Sequence, residues 1–433
     1  MTGNELPALS ALSDGIARRQ ISPRDVVGNC LARVSGNDAA VEAWAFVAAD
    51  SSRREAQALA DELAGGGPRS PLHGIPFGVK DIFDTAGMPT GWGSPLYAER
   101  VPDQDAELVA RLKQAGAIVL GKTHTTGFAY FDPSPTRNPH NVEHTPGGSS
   151  SGSAVAVAEG MVPFALGSQT LGSVLRPASY CGVVGLKPTF GALPSGGMLA
   201  FAPTLDHAGL FTRTAEEMAW LWPAMTGSKN ESAAVCRHLA RPRWPILGSL
   251  EDDMAEGFEG ALATLTSAGF EIHDIDLPRS FLQLPEATMT IFRYEGAQTH
   301  KDRFQEYGSR IGVKLAALVD EGLRIERGVY EQALAVLAAV RAEFAALAEK
   351  HPLWITPSAL GPAPKGLAST GDPRANAPFT ALGVPAISLP FGYAHSKLPL
   401  GLQLAAAQGQ EGDLLKTALE CEKVLSQNKQ PNR

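Results

Sequence analysis

The chain reads as an α/β protein: a single domain, residues 1–433, with a central mixed sheet covered by helices on both faces. Three observations lead there. Short apolar runs of four to six residues, bounded by turn residues, alternate with longer stretches of helical periodicity, the pattern of a sheet with helices on its faces. Its 433 residues, 44% of them hydrophobic, suffice for a large core. Forty-five glycines and 32 prolines exceed an average share of about 12%, which calls for many tight turns without a collagen-like repeat.

The N-terminal helices occupy residues 1–65. Ser22-Pro23 opens one, followed by Val26, Val27, Cys30, Leu31 and Val34 at helical spacing. A second is expected from about Asn37 to Leu63, ended by Gly65-Gly66-Gly67. The core stretch, 70–230, begins with a buried strand over Phe77–Lys80. A helix over Asp105–Gln114 presents Ala106, Leu108, Val109 and Leu112 on one face and stops at Gly116, and a strand over Ala117–Leu120 follows. Phe131–Ser149 is a long polar loop. Ser151–Glu159 resumes as a helix of small residues and Val162–Leu166 as a strand. Helices over Glu216–Met225 and Asp253–Ser267 and a strand over Phe270–Ile275 continue the alternation. Residues 280–350 are helical by pattern, punctuated by Gly308, Gly312, Gly322 and Gly328. The end, 353–425, carries strands over Trp354–Thr356, Ala386–Leu389 and Gly401–Leu404 and a helix over Asp413–Leu425.

The net charge of −8 argues against nucleic acid as the main partner, since phosphate binding needs a basic stripe. No signal-peptide pattern and no apolar run long enough to span a membrane is visible, so the expectation is a cytoplasmic protein. Cysteines 30, 181, 236 and 421 have no metal-like spacing and read as buried thiols.

Two segments carry unusual chemistry. Pro146-Gly147-Gly148-Ser149-Ser150-Ser151-Gly152-Ser153 reads either as a flexible linker or as a loop offering N–H groups and hydroxyls at the start of a helix. It also matches G-x-S-x-G formally, with Ser150 as nucleophile and Asp274 and His351 in the right chain order, but no strand precedes it. In Gly167–Pro177 a strand runs into a glycine turn bearing Thr170 and Ser173, with Arg176 nearby; a serine among free N–H groups suits acyl transfer. His140 and His144, four apart, lie in a loop without helical pattern and fit loop anchoring better than metal binding. Lys80, inside an apolar strand, is either a buried amine that loses its proton easily or a strand-end lysine reaching to the surface.

Lys80, Ser149 and Ser173, in their surrounding motifs, resemble the amidase signature family. The blocks include Gly74–Asp84, Gly121-Lys122-Thr123, Asn138-Pro139-His140-Asn141, Pro146–Ser153, Gly167–Ala178 and Cys181–Pro188. The separations, 69 residues from Lys80 to Ser149 and 24 from Ser149 to Ser173, are those of the malonamidase-like branch; the chain is also similar to carboxybiuret hydrolase-type amidases and amidotransferase A subunits. The resemblance implies a cofactor-free and metal-free amidase with a Ser-Ser-Lys triad. Ser173 is then the nucleophile, and Ser149, on a cis peptide bond in relatives, relays the proton to neutral Lys80. The N–H groups of Thr170, Leu171, Gly172 and Ser173 form the oxyanion hole. Arg176 either contacts a carboxylate on a small amide substrate or sits in a structural ion pair. Leu171 stands where relatives carry a small residue, and Gln169 where many carry an acid. A homodimer is expected. The alternative is an amidotransferase-type subunit that delivers ammonia to a partner enzyme.

Overall fold

A computed structural model describes residues 6–228 and 233–427. Its eleven strands are β1 (Trp44–Val47), β2 (Pro76–Lys80), β3 (Ile118–Thr123), β4 (Phe164–Gln169), β5 (Val184–Lys187), β6 (His207–Thr212), β7 (His238–Arg243), β8 (Glu271–Asp276), β9 (Leu353–Pro357), β10 (Ala386–Tyr393) and β11 (Pro399–Ala406). They join one mixed sheet in the order β1-β3-β2-β4-β6-β5-β10-β11-β9-β7-β8. β2 runs parallel to both β3 and β4, whereas β6, β5, β10 and β11 form an antiparallel run.

The helices are α1 (Leu9–Ala17), α2 (Pro23–Val41), α3 (Ala49–Gly66), α4 (Glu107–Gln114), α5 (Ser151–Ala158), α6 (Leu175–Cys181), α7 (Ala215–Thr226), α8 (Asp252–Ser267), α9 (Leu284–Tyr307), α10 (Val313–Gly322), α11 (Arg327–Lys350), α12 (Ala377–Ala381) and α13 (Glu411–Gln427). Strand periodicity explains why both faces of the sheet are covered, because successive side chains point to opposite sides. On β3, Ile118 and Leu120 join one apolar cluster with Val27 and Leu31 of α2 and Val155 of α5; Val119 between them joins the other. On β4, Phe164 and Leu166 go one way and Ala165 the other. No described helix is long and apolar enough to cross a membrane.

Most expected elements occur within a few residues of their sequence bounds, but the helix expected over 37–63 does not exist. α2 ends at Val41, Glu42 takes a left-handed conformation (φ 50°), and the Asp38 carboxylate accepts from the Ala43 amide at 2.7 Å. Trp44–Val47 then pairs antiparallel with β3, so a β-prone run recruited by the sheet splits one helical pattern into two. The strand expected at Val162 begins at Phe164 and continues to Gln169. Gly328 lies inside α11 instead of punctuating it.

α5 brings its backbone directly onto the loop around β1 and β3. A Cβ on Gly152 would stand 2.1 Å from Ala43 O and 2.5 Å from His124 N. Gly152→Ala is therefore expected to destabilise the protein by about 2 kcal/mol or more, read as a lower denaturant midpoint in urea with an unchanged slope; a midpoint equal to that of the wild type would show that α5 can shift away.

Candidate active site

β2 lies between β3 and β4, and Lys80 at its end is completely buried. A lysine reaching the surface is thereby ruled out. Its Nζ lies 2.7 Å from Ser149 Oγ and 2.8 Å from Ser168 Oγ, and among the described residues it enters no ion pair. Burial pushes the Lys80 pKa well below its ordinary value; the Asp206 carboxylate opposes this through its charge. An amine so placed is readily neutral and touches two hydroxyls with which it can exchange a proton.

Ser149 ends the 131–149 loop, immediately ahead of α5, and is buried. The Gly148–Ser149 peptide bond is cis. Gly147 has φ +81°, and a Cβ there would meet Pro177 Cα at 2.9 Å, so glycine is required where the loop passes over α6. The linker reading fails, because Thr145 through Ser153 are all buried. Ser150 is no nucleophile: its Oγ donates to Ser168 O (3.1 Å) and accepts from Ser168 N (3.2 Å), tying the loop to β4. Asp274 meanwhile faces Arg241 and Arg243 on the exposed β7–β8 edge.

β4 delivers its last residue, Gln169, into the turn that carries Thr170–Ser173. Gln169 is fully buried. Its Oε1 accepts from the Val174 and Leu175 amides (2.8 and 2.9 Å), satisfying two of the free donors at the start of α6. Its Nε2 donates to Thr380 Oγ1 (2.8 Å), whose hydroxyl donates to Leu171 O (2.7 Å). A Cβ on Gly172 would meet Asn376 Oδ1 at 2.8 Å. Thr170 Oγ1 donates to Asp206 Oδ1 at 2.7 Å. The amides of Leu171, Gly172 and Ser173 meet no protein acceptor among the described residues and are free to receive an anion.

Ser173 is partly exposed and lines one narrow cleft together with Ser149, Thr170, Leu171, Gly172 and Arg176. Its hydroxyl makes no protein hydrogen bond among the described residues, so Ser149 bonds Lys80 while Ser173 stands free beside it. Arg176, on α6, is buried; its Nη2 donates to Gly148 O (2.8 Å) and Thr370 Oγ1 (3.1 Å), while Nε and Nη1 are buried without a partner. No carboxylate pairs with it among the described residues, which removes the structural ion pair. Leu171 lines both the cleft and an adjoining apolar cavity beside Leu284 and Met289.

Sequence reasoning missed Ser168 and Asp206, as well as Thr370 and the aromatic wall of Tyr130, Phe131 and Phe292. His140 and His144 anchor loops, with ring nitrogens on Cys181 O (3.0 Å) and Ala363 O (2.7 Å). A larger cavity lies elsewhere, between α11 and β9, beside Arg341 and Phe344; no serine or lysine is among the described residues that line it.

Residues 25–415 match the family model for amidases. The chain belongs to the amidase family. It is 33% identical to the glutamyl-tRNA(Gln) amidotransferase A subunit of Moorella thermoacetica, over 94% of each chain, and 31% identical to that of Geobacillus stearothermophilus, over 98% of each. The crystal structure of an amidase superposes with a TM-score of 0.88 at 29% identity, covering 96% of this chain and 99% of the other. A structure from a vestigial complex that reveals the origins of an s-triazine catabolic enzyme follows at 0.87 and 28%, covering 98% and 99%. This amidase is an enzyme acting on amide carbon–nitrogen bonds.

Gln169 provides the sharpest test of how the turn is held. Gln169→Ala leaves two amides unsatisfied in a buried turn, so it should cost about 1–3 kcal/mol of stability and lower the rate of ammonia release from amides; a variant with wild-type rate and melting would show that the turn holds itself.

Proposed function

We propose that this amidase hydrolyses a carboxylic amide to an acid and ammonia through an acyl-enzyme on Ser173, with Ser149 and Lys80 moving the proton. The carrying observation is the buried Lys80 amine resting on the Ser149 hydroxyl, with no carboxylate in ion-pair contact among the described residues. Ser173 Oγ attacks the carbonyl carbon; its proton passes to Ser149, and Ser149's own proton passes to Lys80 Nζ. The carbonyl oxygen becomes an oxyanion received by the turn of Thr170, Leu171, Gly172 and Ser173, whose unpaired amides sit at the head of α6. The proton returns from Lys80 through Ser149 to the departing nitrogen, ammonia leaves, and the acyl ester remains. Water then attacks the ester while the same relay takes its proton, and Ser173 is restored as the acid departs.

Arg176 favours a small amide bearing a carboxylate. Two of its guanidinium nitrogens have no partner among the described residues, and a guanidinium matches a carboxylate through paired hydrogen bonds.

The second reading is an amidotransferase-type subunit whose ammonia passes to a partner enzyme. The curated relatives favour it over a stand-alone hydrolase, because full-length similarity at 31–33% is to amidotransferase A subunits. Both readings share the chemistry at Ser173 and differ in where ammonia goes and whether a second chain is required. A homodimer and a cytoplasmic location belong to the first. Ammonia release by the purified chain, with no second protein, separates them: release from free amides favours the hydrolase, and release only with a co-expressed partner favours the amidotransferase reading.

Ser173→Ala should abolish ammonia release and labelling by a fluorophosphonate while leaving the unfolding transition intact; retained turnover refutes the acyl-enzyme. Arg176→Ala should lose the preference for carboxylate-bearing amides, raising KM for them about ten- to hundredfold in a panel of small amides with and without a terminal carboxylate. An unchanged preference removes Arg176 from substrate recognition.

A further inference from the structure

Asp206 belongs to no motif read from the sequence, yet it joins both walls of the cleft. It sits just ahead of β6, whose His207 pairs with Gln169 of β4. One carboxylate oxygen, Oδ1, accepts from Thr170 Oγ1 at 2.7 Å on the nucleophile turn. The other, Oδ2, accepts from the Phe201 and Ala202 amides at 2.7 and 3.1 Å. Phe201 in turn stacks on Tyr130 (centroids 5.3 Å apart, planes 7° apart) and on Phe292 (4.7 Å, 29°), and both of those rings line the same cleft as the turn.

We propose that Asp206 is a positioning residue for the Ser173 reaction: its carboxylate ties Thr170 on the nucleophile turn to the Phe201-backed aromatic wall. The inference rests on the acyl-enzyme reading above. Asp206 touches no reacting atom itself and works through Thr170 and the Phe201 peptide.

The electrostatics support the geometry. Desolvation raises the Asp206 pKa, against three donors that favour its ionised form, and in that form it offsets part of the desolvation of Lys80. The other groups bearing on this pair are few. Glu295 of α9 repels Asp206, buried His207 is its chain neighbour, and the Ser149 and Ser168 hydroxyls contact Lys80. Lys80 needs to be neutral to accept the proton of Ser149, so the rate falls on the acid side as the amine becomes protonated. Removing the Asp206 charge makes the ammonium form harder to keep, which moves that fall to lower pH.

The test is the rate at which a fluorophosphonate labels Ser173 as a function of pH, located by mass spectrometry, in the wild type, Asp206→Asn and Asp206→Glu. Asn preserves the shape: its carbonyl oxygen can take the Phe201 and Ala202 amides while its NH2 faces Thr170. The expected result for Asp206→Asn is an acid limb displaced to lower pH by about half a unit or more and a plateau about tenfold lower. Asp206→Glu, which keeps the charge, should bring the limb back toward the wild-type position. Coincident acid limbs for wild type and Asp206→Asn overturn the proposal, as does a folded Asp206→Asn that is unlabelled at every pH and not rescued by Glu. If Asp206→Asn does not unfold cooperatively, Thr170→Val is read instead. It cuts only the link between turn and carboxylate, and should lower the plateau about tenfold with the limb in place; an unaltered plateau overturns the proposal. A wild type that is never labelled at Ser173 refutes the acyl-enzyme reading itself, a result distinct from any of these.

Discussion

The site depends on an amine that is buried with no ion-pair partner among the described residues. Three lysines are fully buried among the described residues, and their surroundings separate their roles. Lys122 faces Asp81 at 3.9 Å and bonds to Phe83 O and to the Thr85 and Thr90 hydroxyls, with its pKa lowered to about 8. Lys187 donates to the carbonyls of Pro188 and Val384, which cannot hand a proton on, with its pKa lowered to about 7. Lys80 alone rests on two serine hydroxyls. Desolvation favours its neutral form, and the hydroxyls give the neutral form something to do.

The rest of the architecture keeps that amine beside the turn. β2 holds Lys80 between two parallel neighbours, and β4, one strand over, contributes Ser168 to the amine and then launches the turn toward α6. The turn is held by Gln169, Thr380 and Asp206, and its Leu171, Gly172 and Ser173 amides, on residues that line the cleft, are not used up by the fold among the described residues. The polar groups that hold the turn are side chains, which leaves the backbone donors for a ligand; this is the arrangement an oxyanion site requires.

The pattern of strands and helices was largely legible because buried strands and amphipathic helices leave periodic traces. β5 and β6 were not, since Val-Gly-Leu-Lys and His-Ala-Gly-Leu-Phe-Thr are short and glycine-containing, and only their places in the antiparallel run make them strands. α6 was hidden by Pro177, which lies early enough in the helix to be tolerated. The Asn37–Leu63 pattern misled because helical spacing continued through residues that the sheet claimed. At the site, Lys80, Ser149 and Ser173 could be picked out by their motifs, whereas Ser168 looked like any strand serine and Asp206 like any loop acid. What makes those two matter is a partner far away in the chain: 88 residues separate Ser168 from Lys80 and 36 separate Asp206 from Thr170. Arg176 was visible in the sequence, but the choice between an ion pair and a free guanidinium needed the coordinates.

The most direct test is the charge state of Lys80 in the intact protein. With lysine side chains labelled at nitrogen and Lys80→Met used to assign the signal, a heteronuclear NMR titration reads the amine itself. The account predicts that Lys80 loses its proton well below the pH at which ordinary lysines, with a pKa near ~10.4, lose theirs. A Lys80 signal that titrates together with the ordinary lysines contradicts it.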